Sequence, residues 1–288
     1  MKDPSLEGEV LETLKWIAYQ KWDESKRELP DFQCPHCDSD KCSLPYDTEI
    51  GKCPRCSGEV FVTDMLGFHL EMADDSAPDS VAMSYMSIHE TLLLFTGIRY
   101  FWQGRRETLG DCLFIKDGPL SIRAQYSKLV EPIRRFLTLA RDSGVPVCLL
   151  GQEKTGAFAE HLDLIADDAP IRSYFVPSHN YIREEVQHRP VASADYGKDT
   201  NYGAKVFVRL NERHRFVLNI PTGSYIRDPH DSDLIRGPDI FATLPTILSA
   251  RYENALLPVE LAHSVASLST YPSAKVLSMF AEAARRKP

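Results

Sequence analysis

The chain has 288 residues, 43% hydrophobic and 26% charged, which supplies a sizeable core and excludes a disordered chain. Its 33 basic and 41 acidic residues leave a net charge of −8. That balance excludes wrapping of a phosphate backbone by bulk attraction, so contact with nucleic acid would need local basic patches, bound metal or a partner that delivers the strand.

The opening Met1-Lys2-Asp3-Pro4 is polar rather than signal-like, and no apolar run approaches the ~20 residues of a membrane span, so a soluble cytoplasmic protein is expected. Asp3 can cap a first helix, with Pro4 in its first turn. Leu6, Val10, Leu14 and Ile17 then form one apolar stripe that runs to about Trp22. A polar linker, 23–30, leads into Cys34-Pro-His-Cys37, fifteen residues, and Cys53-Pro-Arg-Cys56. Each CxxC turn presents two thiolates to one ion, and two such turns close a tetrahedral site, so Cys34, Cys37, Cys53 and Cys56 are expected to hold structural Zn²⁺ in a ribbon. Cys42 and His36 lie inside this module as spare donors and read as bystanders. Cys112 and Cys148 sit in apolar strand-like runs and read as inert buried thiols.

The run Val60-Phe61-Val62-Thr63 reads as a strand ending in Asp64, and 66–72 as a second strand paired with it. Asp74, Asp75 and Asp79 form an acidic loop before a long helix over 80–102. That helix carries two apolar stripes, one through Val81, Tyr85, Ile88, Leu92 and Phe95, the other through Met83, Met86, Leu93 and Leu94, which predicts burial on two faces. Glu90 falls within the second stripe, where a carboxylate is costly unless it is paired or bound to metal. The run 112–116 reads as a strand ending in Asp117, and Gly118-Pro119 lets the chain turn and a ligand approach. Two strand-end carboxylates with a helical glutamate between them make a pattern suited to holding divalent metal for phosphodiester hydrolysis.

Downstream, the pattern predicts a helix over 121–142, a strand over 145–150, a helix over 157–167 and a β-hairpin over 205–220. Helices over 239–252 (interrupted at Pro245), 258–268 and 273–286 close the chain. Alternating strands and helices indicate an α/β sheet with a parallel part. Arg105-Arg106, Arg134-Arg135 and Arg285-Arg286-Lys287 are candidate basic patches, though such pairs usually form solvated helix faces.

Three blocks in order resemble the NurA nuclease family. Leu113-Phe-Ile-Lys-Asp117-Gly118-Pro-Leu120 is similar to its strand ending in Asp-Gly-Ser/Pro-Leu. Val147-Cys-Leu-Leu-Gly151-Gln-Glu-Lys154 is similar to its next strand, and Leu257-Pro258-Val-Glu-Leu-Ala262-His263 to its Pro-Leu-x-x-Ala-His helix start. The resemblance covers the chain from about residue 60 to its end. It implies an RNase H-like mixed sheet flanked by helices over 59–288, with 1–58 as N-terminal helix and zinc ribbon. It also implies Asp64, Glu90 and Asp117 as ligands of Mn²⁺ or Mg²⁺, His263 beside metal or scissile phosphate, and Lys154 facing a phosphate oxygen. Asp74 and Asp75 are alternative first ligands. Where the family has a tyrosine eight residues before the histidine, this chain has Ala255, with Tyr252 nearby but out of register.

The expected function is a metal-dependent deoxyribonuclease, and the resemblance implies a homodimer working with a HerA-like hexameric translocase in DNA-end processing or anti-phage defence. The alternative is a catalytically silent adaptor whose ribbon docks DNA or a partner ATPase. A zinc-ribbon transcription or tRNA-modifying factor is a further reading that rests on the ribbon alone.

Overall fold

The computed structural model describes residues 6–26, 29–37, 39–72, 78–122, 128–190, 194–266 and Met279. The Asp3 cap, the Asp74–Asp75 pair, the helix expected over 273–286 and the basic Arg285-Arg286-Lys287 run lie outside them. Helix α1 (Leu6–Ala18) buries Leu14, Trp16 and Ile17. The cysteine module follows, with a short antiparallel pair of β1 (Ile50–Lys52) and β2 (Glu59–Phe61). Its residues Cys34, Leu44, Cys53 and Val60 share one buried cluster with Trp16, Phe95 and Phe136, so the module has no separate core. The division expected between 58 and 59 falls inside the β1–β2 pairing, where Lys52 faces Glu59.

Beyond Phe61 the chain departs from the expected strands. It coils into two 3₁₀ turns, Val62–Leu66 and Phe68–Glu71, hinged at Gly67. Two local interactions win over extension here. The Phe61 N–H donates to the Asp64 carboxylate at 2.8 Å, and Gly67, at φ 64°, adopts the left-handed conformation that closes the first turn.

Helix α2 (Pro78–Gly104) buries Ile88, Leu92, Phe95 and Ile98. Most of the second stripe is not buried: Met83, Met86 and Leu93 face outward, as does Tyr85 of the first stripe, while Leu94 is half-buried against the core. One side therefore meets the core, packing on α1, instead of two. Contrary to the expectation of no span-length apolar run, Val81–Gly104 is long and apolar enough to cross a membrane by length and composition; a third of its most apolar stretch is packed inside the fold.

The remaining elements are α3 (Arg106–Leu109), β3 (Leu113–Asp117), α4 (Val130–Asp142), β4 (Cys148–Glu153), α5 (Ala157–Ile165), β5 (Ser173–Phe175), α6 (His179–Tyr181), β6 (Ala204–Arg209), β7 (Arg215–Ile220), α7 (Gly237–Thr243) and α8 (Leu257–Ala266). The five later strands form one mixed sheet, in the order β3-β4-β7-β6-β5. β3 and β4 run parallel with Asp117 opposite Gln152, and the other pairings are antiparallel. Strand alternation splits the core. Leu149 joins the cluster around α2 and α4, whereas Cys148, Leu150, Val206 and Leu218 join the cluster that includes Ile240 and Val259 of α7 and α8. The fold is thus mixed α/β, a five-strand sheet flanked by helices, with a cysteine cluster near the N-terminus.

The largest differences from the sequence reading are two helix boundaries and one strand. α4 begins at Val130, because Ser121 bridges to Asn201 and Leu120 is pinned against the sheet. The 239–252 helix ends at Thr243, and a 3₁₀ turn carries the chain through Pro245, whose missing N–H breaks the helical ladder. β5, only three residues long, had no alternating pattern to betray it.

Candidate functional site

β3 is an edge strand, and its last residue, Asp117, sits beside β4 of the parallel pair. Two glycines make this end possible. Gly118, at φ 111°, turns the chain and donates its N–H to the Gln152 carbonyl at 2.7 Å. The turn then crosses Gly151 so closely that a Cβ there would lie 2.5 Å from the Gly118 carbonyl oxygen. Lys154 follows β4 directly and reaches Asp117 Oδ1 at 2.8 Å. His263, from α8, donates through Nε2 to Asp117 Oδ2 at 2.5 Å, and Lys154 Nζ stands 3.3 Å from the same ring nitrogen. Three segments far apart in sequence therefore converge on one carboxylate. Partial burial pushes the Asp117 carboxyl up, but hydrogen bonds from Lys154 and His263 outweigh it and hold the group below the ordinary carboxylate value.

Glu90 of α2 lines the same cavity of about 330 Å³ as Asp117, Pro258, Ala262 and His263. Its Oε2 pairs with Lys116 Nζ at 3.6 Å. Lys116 precedes Asp117 on β3 and so leaves the sheet on the opposite face; it is buried, which lowers its pKa, and Glu90 offsets part of that effect. His263 also lines a second cleft of about 650 Å³ with Lys154, Arg251, Tyr252 and Glu253. An acidic lobe and a lobe of mixed charge, with Lys154 and Arg251 against Glu253 and Glu260, thus meet at one histidine.

The structure brings Glu90, Asp117, Lys154 and His263 to this cleft and does not bring Asp64. The Asp64 carboxylate caps its own 3₁₀ turn and lines an apolar cavity between α1 and α2, a cavity that shares no residue with the Asp117 one. Among the described residues, the four cysteines are the only group of three or more His, Cys, Asp or Glu whose ligand atoms all lie within 4.8 Å of one another. Two of the expected basic patches serve the fold. Arg134 is buried and donates to the carbonyls of Gly197, Lys198 and Asn201, while the Arg106 guanidinium stacks 3.8 Å above the Trp102 ring. Sequence reading missed Lys116 and Arg251. Lys116, a lone charge inside an apolar strand next to Asp117, carried a signal; Arg251, in a polar loop, carried none.

The cysteine cluster is built from two matching knuckles. Cys34 Sγ lies 3.8 Å from Cys56 Sγ, and Cys37 Sγ lies 3.7 Å from Cys53 Sγ. Four thiolates around an ion at ~2.3 Å require tetrahedral edges of about 3.8 Å, so the spacing fits. The N–H groups of His36, Arg55 and Gly58 point at the sulfurs of Cys34, Cys53 and Cys56. Backbone donation from Cys56 and then Arg55 outweighs burial and brings the Cys53 thiol down to about 6. These donors favour thiolates, and the cluster can bind a metal such as zinc. His36 turns away to the Glu59 carbonyl at 2.7 Å, and the buried Cys42 pairs its backbone with Phe32. Cys148 is buried and its thiol is pushed up to about 11, whereas Cys112 is half-buried.

No family model matches this chain, and neither the curated proteins nor the solved structures contain a match. The chemistry of the cleft must therefore be argued from its own groups. It offers two carboxylates, an imidazole that can hold or move a proton, and ammonium groups that can meet an anion.

Proposed function

We propose that the chain is a metal-dependent deoxyribonuclease resembling NurA, with an RNase H-like sheet. The observation that carries this reading is the meeting of Asp117, Lys154 and His263 at one strand end, with Glu90 lining the same cavity. Two carboxylates are hard oxygen donors suited to one Mn²⁺ or Mg²⁺, with water completing the shell, and the imidazole stands beside them free to handle a proton. Their present counter-ions, Lys154 and Lys116, mark the places where positive charge is already stabilised. Asp64 is left out of this ligand set. When bound, a divalent ion supplies Lewis-acid charge at phosphorus and a lowered pKa for water.

The chain's own residues would do the rest. Asp117 and Glu90 bind the cation. Lys154, released from Asp117, takes a non-bridging phosphate oxygen. His263 orients the attacking water and moves its proton. The cysteine cluster holds structural zinc and stiffens the N-terminal module. An acidic protein gains from a partner that feeds it strand, which favours a cytoplasmic assembly with a HerA-like hexameric translocase in DNA-end processing or anti-phage defence. Met83, Met86 and Leu93 of α2 and Leu261 and Val265 of α8 are exposed, on the two helices that carry Glu90 and His263, and offer apolar surface for a second copy in a homodimer.

A second reading, the catalytically silent adaptor, draws on one observation: both cleft carboxylates are already neutralised by lysines. Digestion of linear DNA with Mn²⁺ separates the two. The nuclease reading expects Asp117→Ala to cut at least a hundredfold more slowly than wild type. Intact ends after incubation with wild type and its cognate translocase would leave the adaptor.

A further inference from the structure

Residues 248–256 form a stiff loop between α7 and α8. Leu248 and Leu256 bridge at its base, and the Ser249 N–H donates to the Ala255 carbonyl at 2.9 Å. The buried Ser249 hydroxyl donates to Glu260 at 2.6 Å and accepts the N–H groups of Arg251 and Tyr252. At the far end, Asn254 (φ 53°) accepts the Arg215 N–H through its side chain and the Gln152 amide through its carbonyl, tying the loop to β7 and β4. These bonds hold the loop without using the Tyr252 ring or the Arg251 guanidinium.

Those two side chains face the larger cleft beside Lys154 and His263, and the cleft's two carboxylates already have partners, Glu253 in Arg213 and Glu260 in Ser249. Tyr252 is 49% exposed, and the Arg251 guanidinium lies 5.1 Å from the centre of its ring. Among the described residues, Arg251 has no carboxylate partner and Tyr252 has no other ring contact. An aromatic held half in water on a rigid loop brings little to the core. Beside an unpaired cation and a phosphate-directed lysine it has the makings of a stacking platform, since every base has a π-face and successive phosphates need cations.

We infer that Tyr252 and Arg251 form a subsite for single-stranded DNA, with an unpaired base stacked on Tyr252 and its phosphate held by Arg251. Inside a duplex both faces of each base are covered by stacked neighbours, so the subsite favours an unpaired strand over the body of a duplex. The inference rests on the nuclease reading of the neighbouring site and names the form of its substrate.

The test is fluorescence anisotropy of a labelled oligo-dT and of a blunt duplex on the full-length protein, without Mn²⁺ or Mg²⁺. Tyr252→Ala should bind oligo-dT about tenfold more weakly and leave duplex affinity within about twofold, while Tyr252→Phe keeps wild-type affinity. Arg251→Ala should flatten the salt dependence of oligo-dT binding by somewhat less than one ion. Equal binding by Tyr252→Ala and wild type, or equal loss in the Ala and Phe variants, would overturn the stacking role. A wild-type protein that binds oligo-dT in this Tyr252-dependent way but cuts no DNA would sink the nuclease reading and leave the subsite standing.

Discussion

The two acid-rich and sulfur-rich regions of this chain handle charge in opposite ways. In the cysteine module four ligands already face one point, with sulfur spacings of 3.7 and 3.8 Å and backbone N–H groups aimed at them. In the cleft, each carboxylate has its own ammonium partner, and among the described residues Glu90, Asp117 and His263 do not bring all their ligand atoms within 4.8 Å of one another. A closed four-thiolate site gives a metal no free position and ties its binding to folding. A site held by exchangeable salt bridges is open, and on the proposed nuclease reading its cations would trade places with metal and phosphate. The contrast teaches that ligand preassembly in this fold tracks structural work, and charge compensation tracks an accessible site.

That contrast can be broken at its strongest point first. Removing the cysteine-bound metal with a chelator, or Cys53→Ser, should lose about one zinc per chain and several kcal/mol of stability, since structural zinc supplies roughly 10–16 kcal/mol of apparent binding energy in small folds. Metal analysis and thermal unfolding read this out, and unchanged unfolding in the stripped protein would erase the structural half of the comparison. Gly151→Ala sharpens the other half. A Cβ there meets the Gly118 carbonyl at 2.5 Å, so the variant should lose about 1–3 kcal/mol in urea unfolding. It should also lose more cleavage than its stability change explains, because the turn that presents Asp117 moves. The smallest effect belongs to Asp64→Ala, which deletes one turn-capping acceptor at a cost of about 0.5–1 kcal/mol. Its cleavage rate should match wild type; a loss approaching that of Asp117→Ala would return Asp64 to the metal site.

Much of this was legible in the sequence where local chemistry decides the outcome. The CxxC spacing led to the cysteine cluster, and the apolar run before Asp117-Gly118 led to the end of β3, because ligand turns and glycine turns are short-range features. Lys154 and His263 were reached through the motif resemblance, and their meeting at Asp117 is tertiary geometry that periodicity cannot carry. Asp64 was misplaced because four β-prone residues read as a strand, while a side-chain cap and the left-handed Gly67 coil the chain instead. The outward face of α2 was misread for a related reason: Met83, Met86 and Leu93 have the spacing of a buried stripe, and only the packing reveals that nothing described covers them.

The central claim is that Glu90 and Asp117 together hold a divalent cation. Electron paramagnetic resonance of Mn²⁺ titrated into zinc-loaded protein tests it directly. Wild type should take up one Mn²⁺ per chain in competition with the Lys154 and Lys116 ion pairs, and both Glu90→Gln and Asp117→Asn should abolish that uptake while Asp64→Asn leaves it intact. Equal Mn²⁺ binding in wild type and Asp117→Asn would contradict the account.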